Sequence, residues 1–281
     1  MSLAAYAWRG VVAAVAVALG LPDASRAQTS EQVDVELILA VDVSLSMSPD
    51  ELEIQRHGYA AALTDKQVLQ AIADGAYGKI ALAYFEWAGS TTQHLIVPWT
   101  TIASSADAEA VAAKLTANPP NSARRTSIAG AIEFGTDLFA ESPYRSFKRV
   151  IDISGDGPNN QGTPVQLARD MAVGKGIIIN GLPLMTRGGY SSIYDVTELD
   201  RYYADCVIGG PGAFMIPVNE WSQFPEAVRR KLVMELAGGL PRSRRAEAGK
   251  LPVVLAQQTE GYDCLVGEKM WRDRSLMWEA R

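Results

Sequence analysis

The chain is 281 residues long, 48% hydrophobic, 8% aromatic and 21% charged, the composition of a globular protein with enough length to bury one large core or two small ones. Its formal net charge of −6 and pI near 5.1 argue against broad nucleic-acid binding, which needs a basic face to replace phosphate counterions. The one basic run, Arg242 to Arg245, follows the last clear helical pattern and reads as a solvated linker.

In chain order, Arg9 precedes an apolar run from Val11 to Leu21, and then come Ser25 and Ala27, small residues at the two positions a signal peptidase reads. This predicts a secretory signal over residues 1–27, with an apolar part shorter than the roughly 20 residues that cross a bilayer. The mature chain would begin near Gln28 and be exported, periplasmic or secreted. Residues 1–27 hold two Arg and one Asp, so the mature formal charge is −7. Val35 to Val41 reads as a fully buried strand, followed by a helix with Ser48 as N-cap and Pro49 in its first turn. Residues 79–88 and 92–100 read as two strands of an edge hairpin. Asp107 to Thr116 and Ser127 to Phe139 read as helices, residues 147–154 as a buried strand, Pro164 to Lys175 as a helix, and residues 176–184 as a strand. Residues 192–206 read as helical, 213–218 as a short strand, and Glu220 to Leu236 as a final amphipathic helix. This alternation predicts a doubly wound α/β fold, a mostly parallel sheet with one antiparallel edge strand and helices on both faces. Residues 241–281 show no periodicity and read as a separate extension.

Residues 40–48 read AVDVSLSMS. Alternate side chains leaving an extended strand point the same way, so Asp42, Ser44 and Ser46 are expected to converge while Val43 and Leu45 pack inward. Three oxygens on one side suit a hard cation. Mg2+ takes oxygen ligands at about 2.0–2.1 Å and keeps waters, which fits two hydroxyls with carboxylates held through water; Mn2+ is an alternative and Ca2+ a poorer fit. Other loops must complete the set. Thr126, at a helix start, offers a third hydroxyl, and Asp156, after the strand 147–154, a second carboxylate.

Asp42-Val43-Ser44-Leu45-Ser46, then Thr126, then Asp156-Gly157 resembles the metal-ion-dependent adhesion site of von Willebrand factor A-type domains, a likeness that runs over residues 33–238 and leaves 239–281 as a C-terminal extension. The segments FEWAG, SGDGPNN and CVIGGPGAF also resemble an exported bacterial family of uncharacterised function built on that domain. The resemblance implies that Ser44 and Ser46 ligate the metal directly, Thr126 directly or through water, and Asp42 and Asp156 mainly through water. A cation held by neutral hydroxyls stays electron-poor and takes a partner's carboxylate as its last ligand. The expected protein is thus a metal-dependent binding module, an adhesion or scaffold component rather than an enzyme, which captures an acidic group of an exported protein or envelope component.

Other roles stand beside these. Ser44 and Ser46 also read as caps of the following helix, and Thr126 as the cap of its own. Asp152 shares the parity of Ser154 and Asp156 and is either a paired core carboxylate, the preferred reading, or a group behind the site. Glu86 departs from the family pattern and reads as a salt-bridge partner, while Asn159 and Asn160 read as turn formers. His57 and His94 lack Cys, Asp or Glu at ligand spacing, which argues against zinc, and Gly209 to Gly212 lacks the spacing of a nucleotide loop. Cys206 and Cys264 are an even pair in an exported chain and read as a disulfide or as two separate buried thiols. The enzyme alternative is a haloacid-dehalogenase-like phosphatase, which SGDGPNN also resembles, with Asp42 as nucleophile and Lys148 as phosphate clamp. That family's general acid would stand where this chain has Ser44, so a phosphoryl-aspartate would lack its acid. A structural domain with a vestigial metal site is the third reading.

Overall fold

The structure, a computed structural model, describes residues 30–186, 196–237, 252–255 and 261–279, the last five of these without side chains. The expected signal, the basic run and the start of the 192–206 helix lie outside the described residues. A two-residue strand β1 (Glu31–Gln32) leads into β2 (Val35–Asp42), buried at all eight positions. Then come α1 (Pro49–Leu63), α2 (Lys66–Ala73), β3 (Ile80–Trp87), β4 (Gln93–Ile102), α3 (Ser105–Thr116) and α4 (Ile128–Ala140). The chain continues through β5 (Tyr144–Arg145), β6 (Lys148–Gly155), α5 (Val165–Gly174), β7 (Ile177–Pro183), α6 (Leu199–Tyr202), β8 (Phe214–Met215) and α7 (Phe224–Leu236). The extension supplies β9 (Val254–Leu255) and α8 (Val266–Glu279).

β1 pairs with β5, and the other seven strands form one sheet in the order β4-β3-β2-β6-β7-β8-β9. Its interior pairings from β3 to β8 are parallel, β4 is the antiparallel edge expected from the hairpin, and β9 closes the far edge antiparallel to β8. Because side chains alternate along a strand, β2 feeds two cores. Leu37, Leu39 and Val41 pack in one cluster with Tyr59, Val111 and Phe224, beneath α1, α3 and α7. Ile38 and Ala40 pack in the other with Ile132, Ala168 and Tyr203, beneath α4, α5 and the segment after α6. Apolar residues on both faces are what a strand covered by helices on each side requires.

The helix predicted over 192–206 is, in its described part, one turn of α6 followed by a π-helical turn at Tyr203–Val207. The extension is not without structure: α8 is 14 residues long, and Cys264 is joined to Cys206, with the two Cα atoms 5.6 Å apart.

Candidate metal site

From β2 the chain winds outward through β3 to β4, and then returns to lay β6 on the other flank of β2. The crevice beyond the carboxyl ends of β2 and β6 is therefore the point where strand order reverses, the usual ligand position in an open α/β sheet. Asp42 ends β2, and Asp156 directly follows β6.

Backbone pairing brings three loops together there. The Leu45 N–H donates to the Ala123 carbonyl (2.9 Å) and the Ala123 N–H to the Val43 carbonyl (3.1 Å), which binds the first loop to the one carrying Thr126. The Thr126 N–H donates to Asn160 Oδ1 (3.1 Å), and the Asn160 N–H to the Thr126 carbonyl (2.8 Å), which binds that loop to the one carrying Asp156. The side chains converge accordingly. Ser44 Oγ and Ser46 Oγ are 2.7 Å apart, Ser46 Oγ donates to Asp156 Oδ1 at 2.7 Å, and the Ser44 N–H donates to Asp42 Oδ1 at 2.7 Å. Ser44, Ser46, Thr126 and Asp156 line one cleft of about 390 Å³.

Asp42 tests whether this set fits a cation. It is 0% exposed, and its Oδ2 has no hydrogen-bond partner. Burial first, and the Asp156 charge second, push its pKa well above the usual carboxylate range, against the lowering effect of the Ser44 N–H. A fully buried carboxylate at a strand end, raised further by the Asp156 charge, is what a bound divalent ion would relieve. The residues, all oxygen donors, fit a hard divalent cation. Among the described residues no three His, Cys, Asp or Glu side chains gather to hold a metal; this set instead has two carboxylates and three hydroxyls.

The competing roles fall to neighbouring residues. α1 is capped by Ser48, whose Oγ accepts from the Glu51 N–H while Glu51 accepts from the Ser48 N–H, a reciprocal cap typically worth about 1 kcal/mol. α4 is capped by Ser127, which accepts from the Gly130 N–H, so Thr126 does not cap it. Glu86 is a salt-bridge partner, 2.6 Å from Arg56 and accepting from Asn121. Asp152 is a paired core carboxylate, 2.8 Å from Lys231.

Two expectations need correction. Leu45 does not pack inward: it is 50% exposed and lines the cleft, because its N–H is committed to Ala123 and turns the side chain out. Asn159 and Asn160 do more than form a turn. Asn159 Oδ1 accepts from the Ala129 N–H (3.0 Å), and its Nδ2 donates to Glu268 Oε1 (2.7 Å). Arg125, Met270 and Trp271 also line the cleft unforeseen. The Asn-Asn pair after Asp156-Gly157-Pro158 was the available signal for the asparagine contacts, but α8 lacks a clean apolar stripe that would have announced it.

The phosphatase alternative loses its clamp. Lys148 begins β6 and donates to the Glu235 carbonyl at 2.7 Å. Seven residues of strand, roughly 23 Å, separate it from the carboxyl end where Asp42 and Asp156 meet.

The profile of a family described as "Protein of unknown function (DUF1194)" matches residues 32–240. Among curated proteins none matches the chain. Among solved structures, proximal thread matrix protein 1 from the mussel byssus, with a zinc-occupied MIDAS motif, is 15% identical at TM-score 0.50, covering 74% of this chain and 49% of that one. The pilus adhesin SpaC from Lactobacillus rhamnosus GG is 12% identical at TM-score 0.53, covering 73% and 31%. A protein named von Willebrand factor type A from Catenulispora acidiphila is 13% identical at TM-score 0.49, covering 73% and 43%. The chain thus spans half or less of these neighbours' length, and the likeness is one of fold, the doubly wound von Willebrand factor A type.

Proposed function

We propose that this chain, which belongs to the DUF1194 family, is an exported, divalent-metal-dependent protein-binding module that captures an acidic side chain of its partner at the cleft lined by Ser44, Ser46, Thr126 and Asp156, with Asp42 buried behind Ser44. The observation that carries this reading is the unpartnered, fully buried Asp42 Oδ2 beside Asp156, at the rim of a cluster of Ser44 and Ser46 hydroxyls. Ser44 and Ser46 would hold the ion directly, Thr126 directly or through water, and Asp42 and Asp156 mainly through water. When bound, Mg2+ or Mn2+ supplies an electron-poor centre able to accept one more carboxylate. The protein's own residues do the rest: Asn160 fixes Thr126, the Ser44 N–H orients Asp42, and Arg124 and Arg125 on the cleft wall favour an anionic visitor.

With a mature charge of −7 over residues 28–281, long-range attraction for an acidic partner is absent, and recognition rests on the local positive centre. The two neighbours whose names indicate a matrix protein and a pilus adhesin support an adhesive or scaffolding role. The disulfide supports export into an oxidising compartment, and no described helix is long and apolar enough to cross a membrane. Within this proposal residues 1–27 are the leader, 33–238 the binding domain and 239–281 the extension. The direct trial is capture from envelope extract in Mg2+, in EDTA, and in Mg2+ with a Ser44→Ala/Ser46→Ala variant. The proposal expects proteins retained only in the first; the same set in all three would move the binding surface away from the metal.

A further inference from the structure

The extension contacts each of the two distant loops that complete the metal site. The first contact is at Arg125, the residue before Thr126. It is the one non-glycine residue with positive φ (77°) among the described residues, a backbone conformation that an arginine adopts only where its surroundings impose it. Its guanidinium lies over the Trp271 ring of α8, 3.4 Å from the centroid, a stacking distance for a cation on an indole face. The second contact is at Asn159, three residues after Asp156. Asn159 is 0% exposed and binds α8 through Glu268 while holding the Ala129 N–H in the first turn of α4. Directly beside Glu268, the α8 backbone packs so close that a Cβ on Gly267 would overlap the Asn159 carbonyl.

α8 is itself anchored. Cys264, two residues before it, is bonded to Cys206 in the π-helical turn. The neighbouring Tyr202 packs edge-on against Tyr262 at 5.9 Å, and its hydroxyl accepts from the Asn159 N–H at 3.1 Å. The disulfide, α8 and the Asp156 loop therefore form one connected body, and Trp271 extends it to the Thr126 loop.

From these contacts we infer that α8 is a positioning element of the metal site: Trp271, through Arg125, and Glu268 with Gly267, through Asn159, hold Thr126 and Asp156 at the spacing the ion needs, and Cys206–Cys264 holds α8 in place. This rests on the metal-site reading above and extends it to residues that touch no ligand. Groups that orient metal ligands from behind typically change affinity by about 10–100-fold when removed. Trp271 and Gly267 also form part of the cleft wall, and the sign of the affinity change separates a positioning element from a lid that hinders the ion.

The experiment is calorimetric titration of Mn2+ into the full mature chain, its Ser44→Ala/Ser46→Ala variant, Trp271→Ala, Trp271→Phe, Gly267→Val, and the Cys206→Ala/Cys264→Ala double variant, with each melting temperature recorded in EDTA. Trp271→Ala, Gly267→Val and the cysteine double variant are expected to weaken Mn2+ by about tenfold or more, and Trp271→Phe, which keeps a face for Arg125, to return it to within about threefold of the parent. In EDTA the two Trp271 variants should melt together, which separates positioning from stability. Equal Mn2+ affinity in Trp271→Ala, Gly267→Val and the parent overturns the inference, and so does tighter binding, which would make α8 a lid. If instead the parent itself binds no Mn2+, or binds it equally without Ser44 and Ser46, the metal-site reading has failed first.

Discussion

Buried carboxylates occur in two settings in this protein. In one, a cation is built into the fold beside them. Asp152 and Glu235 share Lys231, at 2.8 and 2.5 Å, with Asn180 donating to Glu235, and Glu86 meets Arg56 at 2.6 Å. At the carboxyl ends of β2 and β6 the arrangement differs: Asp42 accepts from the Ser44 N–H, the Asp156 charge raises its pKa further, and Asp42 Oδ2 has no hydrogen-bond partner. Taking a charge out of water is costly unless a partner compensates it. The interior carboxylates have a cation of the chain beside them, although burial still outweighs Lys231 and lifts Asp152 to about 7; at Asp42 the neighbouring charge that acts alongside burial is another carboxylate, which raises its pKa further.

The largest expected effect comes from removing an internal cation. Lys231→Met would leave Asp152 and Glu235 buried without it, and should cost at least about 3–5 kcal/mol in urea unfolding. A loss below about 1 kcal/mol would mean that water reaches this network and that the interior is not the self-contained setting described. Arg56→Met should cost a similar amount, about 3–5 kcal/mol, through Glu86, with Mn2+ affinity changed far less than stability.

Removing the Cys206–Cys264 bond, which spans a sequence separation of 58, should cost about 2–4 kcal/mol in the chain-entropy picture. Labelling of the exported chain under denaturing, non-reducing conditions should find no free thiol. Two labelled thiols per chain would remove the anchor of α8.

The smallest effect is the most selective. Asp42 binds its proton more tightly in the folded protein than in the unfolded chain, so in EDTA the stability it contributes is fully present below about pH 4 and is lost as pH rises through its raised folded value. Asp42→Asn keeps an acceptor for the Ser44 N–H but does not titrate. The metal-free parent should therefore lose stability relative to this variant as pH rises, by up to about 1.4 kcal/mol per pH unit within that window. Parallel curves would show that the crevice carboxylate is already compensated.

The sheet was legible because its strands are short apolar runs between clear helix starts, and because Ser48-Pro49 and the hairpin turn state their own geometry. Of the five candidate residues, Asp42, Ser44, Ser46 and Asp156 could be picked out as oxygen-bearing groups following strands and Thr126 as one at a helix start; the pairing of their loops is seen only in the fold. What was not legible depended on contacts between distant segments. Leu45 turns outward because Ala123 takes its N–H, and Lys231 shows its pairing with Asp152 only when α7 packs on β6. Arg125 and Trp271 are 146 positions apart in the sequence, and nothing local to either announces the other. α8 was missed because its mixed sequence carries no dominant apolar stripe, its placement depending instead on the disulfide and on contacts to the loops.

The most direct measurement of the central claim is the melting temperature of the mature chain with and without saturating Mg2+ or Mn2+, for the parent, Asp42→Ala and Asp156→Ala. A ligand that binds only the folded state stabilises it by about 2.7 kcal/mol at one hundred times its dissociation constant. The parent should therefore melt several degrees higher with metal, and both variants should lose most of that shift. No shift in the parent, or an equal shift in all three proteins, would contradict a metal site at Asp42 and Asp156.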